Sequence, residues 1–386
     1  ILQVDDFITY FCIMENFKVL GVRPEFIKGL NDLGIINPTE IQKLVIPLLL
    51  DGNTDLVGKA QTGTGKTAAF GLPLLHRIDH RKDYVQALIL CPTRELGKQV
   101  AKQLFRYTKY SDKIFTESVY GGEKIDKQLA NLKRTTHIVV ATPGRLIDLV
   151  NRKALDLSKV KTVVLDEADE MLSMGFKKEL DEILDFLPEV QSKWLFSATM
   201  PNGIKQMVHE HMNPTAHRIT VSKGNEVNAK IEHKFILCDD AEKSYVLLQF
   251  LNSVKDQRGI VFCRTRSSTK KVAAQLIAKN IAADAIHGDL LQKERDKVMR
   301  AFKNENLSVI VATDIAARGI DIADLTFVVH YQLPDKDEYY THRSGRTARA
   351  GKEGVSLVLA NSYDIRKIRS YEKNLRISFS KINTFK

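Results

Sequence analysis

The stretch at 60–67, A-Q-T-G-T-G-K-T, constrains this chain more than any other. It lies between a short apolar run at 56–58 and a helix-like run at 68–75. Gly63 and Gly65 let the backbone curl so that successive N–H groups face an anion, with Ala60, Gln61, Thr62 and Thr64 completing the turn. Lys66 supplies a positive charge for outer phosphates, and Thr67 opens the helix with a hydroxyl suited to Mg²⁺. Ala60 stands where the usual pattern G-x-x-x-x-G-K-[ST] has a glycine, and a small residue still leaves room. Read alone, the stretch is either a phosphate loop or a glycine-rich turn between a strand and a helix. A second stretch favours the phosphate loop. Val163-Val164-Leu165-Asp166-Glu167-Ala168-Asp169 is an apolar strand ending in adjacent carboxylates, the Walker B arrangement.

Alternation of short β-branched runs with longer amphipathic ones continues along the chain. Strands are expected at 87–91, 117–120, 137–141, 162–166, 194–197 and 218–221, with helices at 95–107, 123–133, 144–152 and 178–186. After a polar, glycine-containing run at 222–228, strands are expected at 233–237, 259–263, 283–287, 309–313, 327–331 and 355–359, with helices at 268–279 and 292–302. Strands alternating with helices imply a mainly parallel sheet covered on both faces, with ligands at the carboxyl ends of the strands. The phosphate loop and the carboxylates both fall at such ends. The fold class is therefore α/β with two domains, divided as 14–43, 44–221, a linker at 222–228, 229–362, and a basic end at 363–386 expected to be a helix and a frayed terminus. Residues 1–13, which precede Met14, are expected to be upstream or non-native sequence. The second half carries no phosphate loop and is not expected to bind ATP by itself.

The chain has 386 residues, a length suited to two domains of common size. No apolar run reaches the length that spans a bilayer, so no membrane partner is expected. A formal net charge of +11 fits an anionic partner such as nucleic acid, and equally a generally basic surface. Cys12, Cys91, Cys238 and Cys263 are scattered without metal-ligand spacing; Cys91 and Cys263 close strand-like runs and read as small buried hydrophobes in a reducing, cytoplasmic setting.

Phosphoryl chemistry needs positioned phosphates, a metal ion, an oriented water and cations near the developing charge. Lys66 and Thr67 serve the first need, Asp166 is placed to hold Mg²⁺, partly through water, and Glu167 to orient or deprotonate the attacking water. Arginine candidates come from the run His342-Arg343-Ser344-Gly345-Arg346-Thr347-Ala348-Arg349, where Arg346 and Arg349 can share a helix face; alone, that run reads as a solvated basic face.

These residues resemble the DEAD-box ATP-dependent RNA helicases over almost the whole chain. Asp166-Glu167-Ala168-Asp169 is the namesake box. Around it stand Phe17 with Pro38-Thr39-Glu40-Ile41-Gln42, then Pro92-Thr93-Arg94-Glu95-Leu96, Gly121-Gly122, Thr142-Pro143-Gly144-Arg145 and Ser197-Ala198-Thr199. The second half continues with Phe262-Cys263-Arg264-Thr265, Gln292-Lys293-Glu294-Arg295, Ala312-Thr313-Asp314, Arg318-Gly319-Ile320-Asp321, and the run from His342 to Arg349.

The resemblance implies two RecA-like domains that close on ATP and single-stranded RNA. It implies that Gln42 reads the adenine edge while Phe17 stacks on the base, that Asp321 lies near the ribose, and that Arg346 and Arg349 reach the γ-phosphate, so that hydrolysis requires closure. Asp169, Ser197, Thr199 and His342 would couple the nucleotide to strand separation. Thr93, Arg94, Gly122, Thr142, Arg145, Arg264, Gln292, Arg295 and Thr313 would hold RNA through phosphates and 2′-OH groups, with little base information. The activity implied is RNA-dependent ATP hydrolysis with unwinding of short duplexes or remodelling of RNA–protein complexes, by a monomer whose partners include ribosomal-assembly or RNA-decay proteins. An ATP-gated RNA clamp and a DNA helicase or translocase are the alternatives. Gly97, after Leu96, is expected to loosen one helix start. No C-terminal RNA-binding module is recognisable, so substrate choice is expected to come from partners, from the basic end, or from nothing specific.

Overall fold

Apolar β-branched tetrads set the architecture of the computed structural model, which describes residues 16–61, 63–221, 230–317, 325–335, 337–348 and 352–384. The chain divides into two compact units, Ile1–Ser222 and Lys223–Lys386. In the first, strands β1 (Leu56–Lys59), β2 (Ala87–Leu90), β3 (Thr116–Val119), β4 (Ile138–Ala141), β5 (Thr162–Leu165), β6 (Ser192–Ser197) and β7 (His217–Thr220) form one sheet in the order β3-β4-β2-β5-β6-β1-β7. Every pairing is parallel. In the second unit, β8 (Ile231–Leu237), β9 (Gly259–Phe262), β10 (Ala283–Ile286), β11 (Val309–Ala312), β12 (Phe327–His330), β13 (Gly354–Ala360) and β14 (Phe379–Ile382) take the order β10-β11-β9-β12-β13-β8-β14, again all parallel. Adding seven to each strand number of the first sheet gives the second. The two units therefore repeat one topology without repeating sequence.

Successive strand residues point to opposite faces, and here both faces are covered. Ile89, Val140, Val164 and Trp194 enter one apolar cluster, while their neighbours Leu88, Val139, Val163 and Leu195 enter another. The second sheet does the same with Val261, Val311 and Val329 against Ile260, Ile310 and Val328. Continuous apolar strands, not alternating ones, are what a parallel sheet between two helix layers demands.

The chain after Ala360 differs from its expected course. A helix, Asp364–Leu375, is followed by an edge strand, β14, paired with β8 at Phe379↔His233, where a frayed terminus was expected. Its residues are half-exposed or exposed, so no apolar run marks it. Cys91, Cys238 and Cys263 are free and buried; burial pushes the thiols of Cys238 and Cys263 up to about 11.

The start of helix Arg94–Tyr107 is intact despite Gly97, because the Thr93 hydroxyl accepts from the Leu96 N–H at 3.3 Å. A Cβ at Gly97 would stand 3.6 Å from Val140 Cγ1, an ordinary contact. Gly97→Ala is thus expected to stabilise the first unit by about 0.5–1 kcal/mol through helix propensity, read as a rise of about 2 °C in melting temperature. A lower melting temperature would mean that the site is already full.

Three histidines, one half-buried and two buried, make stability depend on pH. Burial holds His76 and His233 down at about 4, with Arg23 adding to the effect at His76, and burial also holds His330 well below its usual range. These groups are neutral when folded and protonate near 6.5 when unfolded, so the unfolded chain binds more protons between those values. Stability is full above about pH 6.5 and is lost as pH falls towards 4. By pH 5 the loss from His233 alone is about 2 kcal/mol. Melting curves at pH 7.5, 6.5 and 5.0 check this; an unchanged midpoint down to pH 5 would contradict it.

Candidate active site

The helix Lys66–Arg77 begins at Gly65, whose φ of 90° belongs to the left-handed region that favours glycine. Close approach also requires it, since a Cβ there would lie 2.4 Å from Gln42 Nε2 and 3.1 Å from Thr39 Oγ1. Lys66 is 6% exposed, and its ammonium donates to Ala60 O at 2.9 Å, folding the side chain back across the loop. Ala60 N–H in turn donates to Ser197 O at 3.0 Å, which fastens the loop to the end of β6. Thr64 Oγ1 donates to Gln61 O at 2.7 Å. Curled backbone, a helix N-terminus and a buried lysine form a cradle for a phosphate chain.

Gln42 braces that cradle. Its Oε1 accepts from Thr39 N–H at 2.9 Å, and its Nε2 donates to Gly65 O at 3.0 Å, while Thr39 Oγ1 donates to Thr64 O at 2.8 Å. Each end of the Gln42 amide makes one bond within the protein, which leaves one N–H and one oxygen lone pair for a further contact. Phe17 is only 2% exposed and packs in the core with Leu20 and Val22. Its placement is that of a core aromatic.

Asp166 and Glu167 follow β5, beside β6. Asp166 is buried, and burial raises its carboxyl to about 7, opposed by the Lys66 ammonium and assisted by Glu167. Glu167 N–H donates to Asp166 Oδ1 at 3.0 Å. Glu167 has φ 52° and ψ 50° at the cap of helix Ala168–Ser173, a left-handed conformation that costs a residue with a Cβ about 1–2 kcal/mol. Such strain gathers where side chains must be aimed. Asp169 Oδ2 accepts from both Thr199 N–H (2.9 Å) and Thr199 Oγ1 (2.7 Å), and Ser197 Oγ donates to Thr199 O at 2.6 Å. The end of β6 is thereby tied to the helix that follows Glu167. Asp169 Oδ1 is buried with no hydrogen-bond partner.

The remaining residues of the first unit lie on the other half of the same sheet edge. Thr93 and Arg94 follow β2, Gly122 follows β3, and Thr142 and Arg145 follow β4. Arg94 packs over the Tyr120 ring (5.2 Å) and lies where a Cβ on Gly122 would meet its Nη2 at 2.7 Å; the φ of Gly122 is 79°. Arg145 donates to Gln128 Oε1 at 3.0 Å and Glu123 O at 3.3 Å, and Gln128 Nε2 donates to Tyr120 O at 2.9 Å. In the order β3-β4-β2-β5-β6-β1-β7, the carboxyl ends of the first three strands carry hydroxyls, arginines and a glycine turn. Those of the next three carry the phosphate cradle and the carboxylates.

The second unit repeats this division. Arg264 follows β9, Gln292 and Arg295 open the helix after β10, and Thr313 follows β11. Arg264 Nε donates to Leu333 O at 2.9 Å, Gln292 Nε2 to Asp296 Oδ1 at 2.6 Å, and Arg295 to Ala316 O. His342 and Arg346 belong to the chain after β12 and border a small cleft with Asp314 and Tyr339. The reading of this run as a solvated face fails at Arg343, which is 1% exposed. Its guanidinium pairs with both oxygens of Asp314 (2.5 and 2.7 Å), donates to Gln332 O at 2.7 Å and lies over the Phe262 ring at 5.0 Å. Thr62, Asp321, Arg349, the segment 318–320 and residues 1–13 and 222–228 lie outside the described residues.

Two family models match the chain: the DEAD/DEAH box helicase model over residues 39–207 and the helicase conserved C-terminal domain model over 242–351. The ATP-dependent RNA helicase CshA of Listeria monocytogenes is 43% identical over 365 residues, covering 94% of this chain and 69% of the relative. This chain belongs to the DEAD-box helicase family. Among solved structures, S. cerevisiae Dbp5 bound to RNA and ADP BeF3 is similar with a TM-score of 0.87 and 31% identity, covering 96% of each chain. Mss116p bound to ssRNA and AMP-PNP gives 0.84 and 26%, over 96% of this chain and 78% of that one. The two sheets of this DEAD-box protein are those of RecA-like domains.

The Thr67 hydroxyl and the buried Asp166 carboxyl are both oxygen donors, the kind that suits a hard cation such as Mg²⁺. Thr39, Gln128, Gln332 and the Arg343–Asp314 pair support the helicase site but were assigned no role from sequence. Thr39, Asp314 and Arg343 stand inside the motif runs without a role assigned to them, and no spacing signal marks Gln128 or Gln332.

Proposed function

We propose that this chain is an RNA-dependent ATPase that unwinds short RNA duplexes or remodels RNA–protein complexes. The observation that carries the reading is the division of one sheet edge, with the phosphate cradle and carboxylates on β1, β5 and β6, and the hydroxyl, glycine and arginine set on β2, β3 and β4. ATP phosphates sit against the backbone of 61–65 and Lys66. Thr67 and Asp166 hold Mg²⁺, which supplies charge neutralisation at the phosphates. Glu167 orients the attacking water and takes its proton. Arg346 and Arg349 are the cations for the charge that develops, and Asp321 is the ribose contact. Thr93, Arg94, Gly122, Thr142 and Arg145 in the first unit, and Arg264, Gln292, Arg295 and Thr313 in the second, hold RNA phosphates and 2′-OH groups, so binding tolerates sequence and weakens with salt. Thr199 and Asp169, directly bonded, and His342 pass the state of the nucleotide to the RNA. Gln42 has two tasks in this scheme, bracing the loop and reading adenine. A monomeric state, a cytoplasmic setting and ribosomal-assembly or RNA-decay partners complete the proposal; among the described residues no helix is long and apolar enough to cross a membrane.

Duplex length tests it. At about 1.4 kcal/mol per base-pair step, local disruption suffices for a duplex of about 10 pairs and not for one of about 25. ATP-dependent separation of the short duplex alone is expected. Separation of both lengths would indicate a translocase, and ATP-gated retention of RNA with neither separated would indicate a clamp.

A further inference from the structure

Helix Arg94–Tyr107 carries a stripe that the site above does not use. Leu96, Val100, Leu104 and Tyr107 bury one face, and Lys98, Lys102, Phe105 and Arg106 stand exposed on the other. Phe105 is 72% exposed, an unusual position for a large aromatic ring on a helix that buries four apolar residues behind it. At a rise of about 1.5 Å per residue, Lys98, Lys102 and Arg106 are spaced about 6 Å apart along the axis. The stripe begins at the RNA-facing edge: Lys98 Nζ lies 4.9 Å from the centroid of the Tyr120 ring, whose other cationic neighbour is Arg94 at 5.2 Å. Among the described residues no ion pair engages Lys98, Lys102 or Arg106, whereas Lys109 beyond the helix end is held by Asp32. Glu95 lies on the same helix, Lys98 lowers the Glu123 carboxyl, and Asp32 is taken up by Lys109.

We infer that this face is a second RNA track, on which a single strand leaving the Arg94–Gly122 edge runs along the helix, its phosphates on Lys98, Lys102 and Arg106 and one base stacked on Phe105. Regularly spaced cations beside an exposed ring match the phosphate-plus-stacking recognition of single strands. The track rests on the RNA reading above and extends it: RNA long enough to pass the first unit's edge gains affinity that a short oligonucleotide does not.

The test is the RNA concentration that half-maximally stimulates ATP hydrolysis, measured with a single strand of about 8 nucleotides and one of about 25. Variants are the double reversal Lys102→Glu/Arg106→Glu and, separately, Phe105→Ala; all three positions are solvent-exposed, and melting curves confirm folding. For the long strand the double variant is expected to raise that concentration about tenfold or more and to flatten the log–log salt slope by about 1.4, the share of two phosphates. Phe105→Ala is expected to raise it severalfold. The short strand should respond as with unaltered protein. No change with the long strand, or equal change with both lengths, would overturn the track while leaving the helicase reading intact. If the unaltered protein responds to neither RNA, that reading falls and the track with it.

Discussion

Glu167→Gln is expected to lower RNA-stimulated ATP hydrolysis by about 10²–10⁴-fold, the range removed with a general base, while ATP and RNA binding persist. The amide has the shape of the carboxylate but cannot take a proton. The Asp166 oxygen that receives the Glu167 backbone N–H at 3.0 Å keeps that bond, because the donor is main chain. The Lys66 bond to Ala60 O is likewise untouched. Retained binding with lost turnover therefore separates a base from a structural residue. Turnover like that of the unaltered protein would remove Glu167 from the mechanism.

The second large effect is expected at Gly65. Gly65→Ala must adopt a φ of 90° and place its Cβ 2.4 Å from Gln42 Nε2, so the loop or the glutamine has to move. Left-handed strain of about 1–2 kcal/mol and loss of the Gln42–Gly65 hydrogen bond, about 1 kcal/mol, both fall on the conformation that binds phosphate. ATP affinity should drop by about 30- to 100-fold, read with a fluorescent ATP analogue, with little change in melting temperature for the second unit. Affinity within about twofold of the unaltered protein would show that the cradle is more pliant than its contacts imply.

What the sequence disclosed and what it hid follow from the reach of each signal. Strand ends were legible because apolar runs such as Val163-Val164-Leu165 stop at residues that only a site would use: carboxylates, glycines and hydroxyls. The seven-strand order of each sheet was not legible, since pairing depends on which strands meet after the helices pack. β14 escaped because an edge strand with Ser380 and Lys381 exposed has no apolar period. Phe17 illustrates a different limit. A core phenylalanine and a stacking phenylalanine look alike until burial is known. Arg343 and Asp314 are 29 positions apart, and only the fold brings them together into a buried bidentate pair. The double engagement of Gln42 was equally invisible, because the partner carbonyl of Gly65 is main chain and carries no residue signature.

The most direct measurement of the central claim is steady-state ATP hydrolysis without nucleic acid, with single-stranded RNA, and with DNA of the same sequence, at one fixed low salt concentration. Stimulation by RNA and not by DNA is the expected result, because the hydroxyl- and arginine-bearing strand ends are assigned to phosphates and 2′-OH groups together. Equal stimulation by DNA, or none by either, would contradict the account.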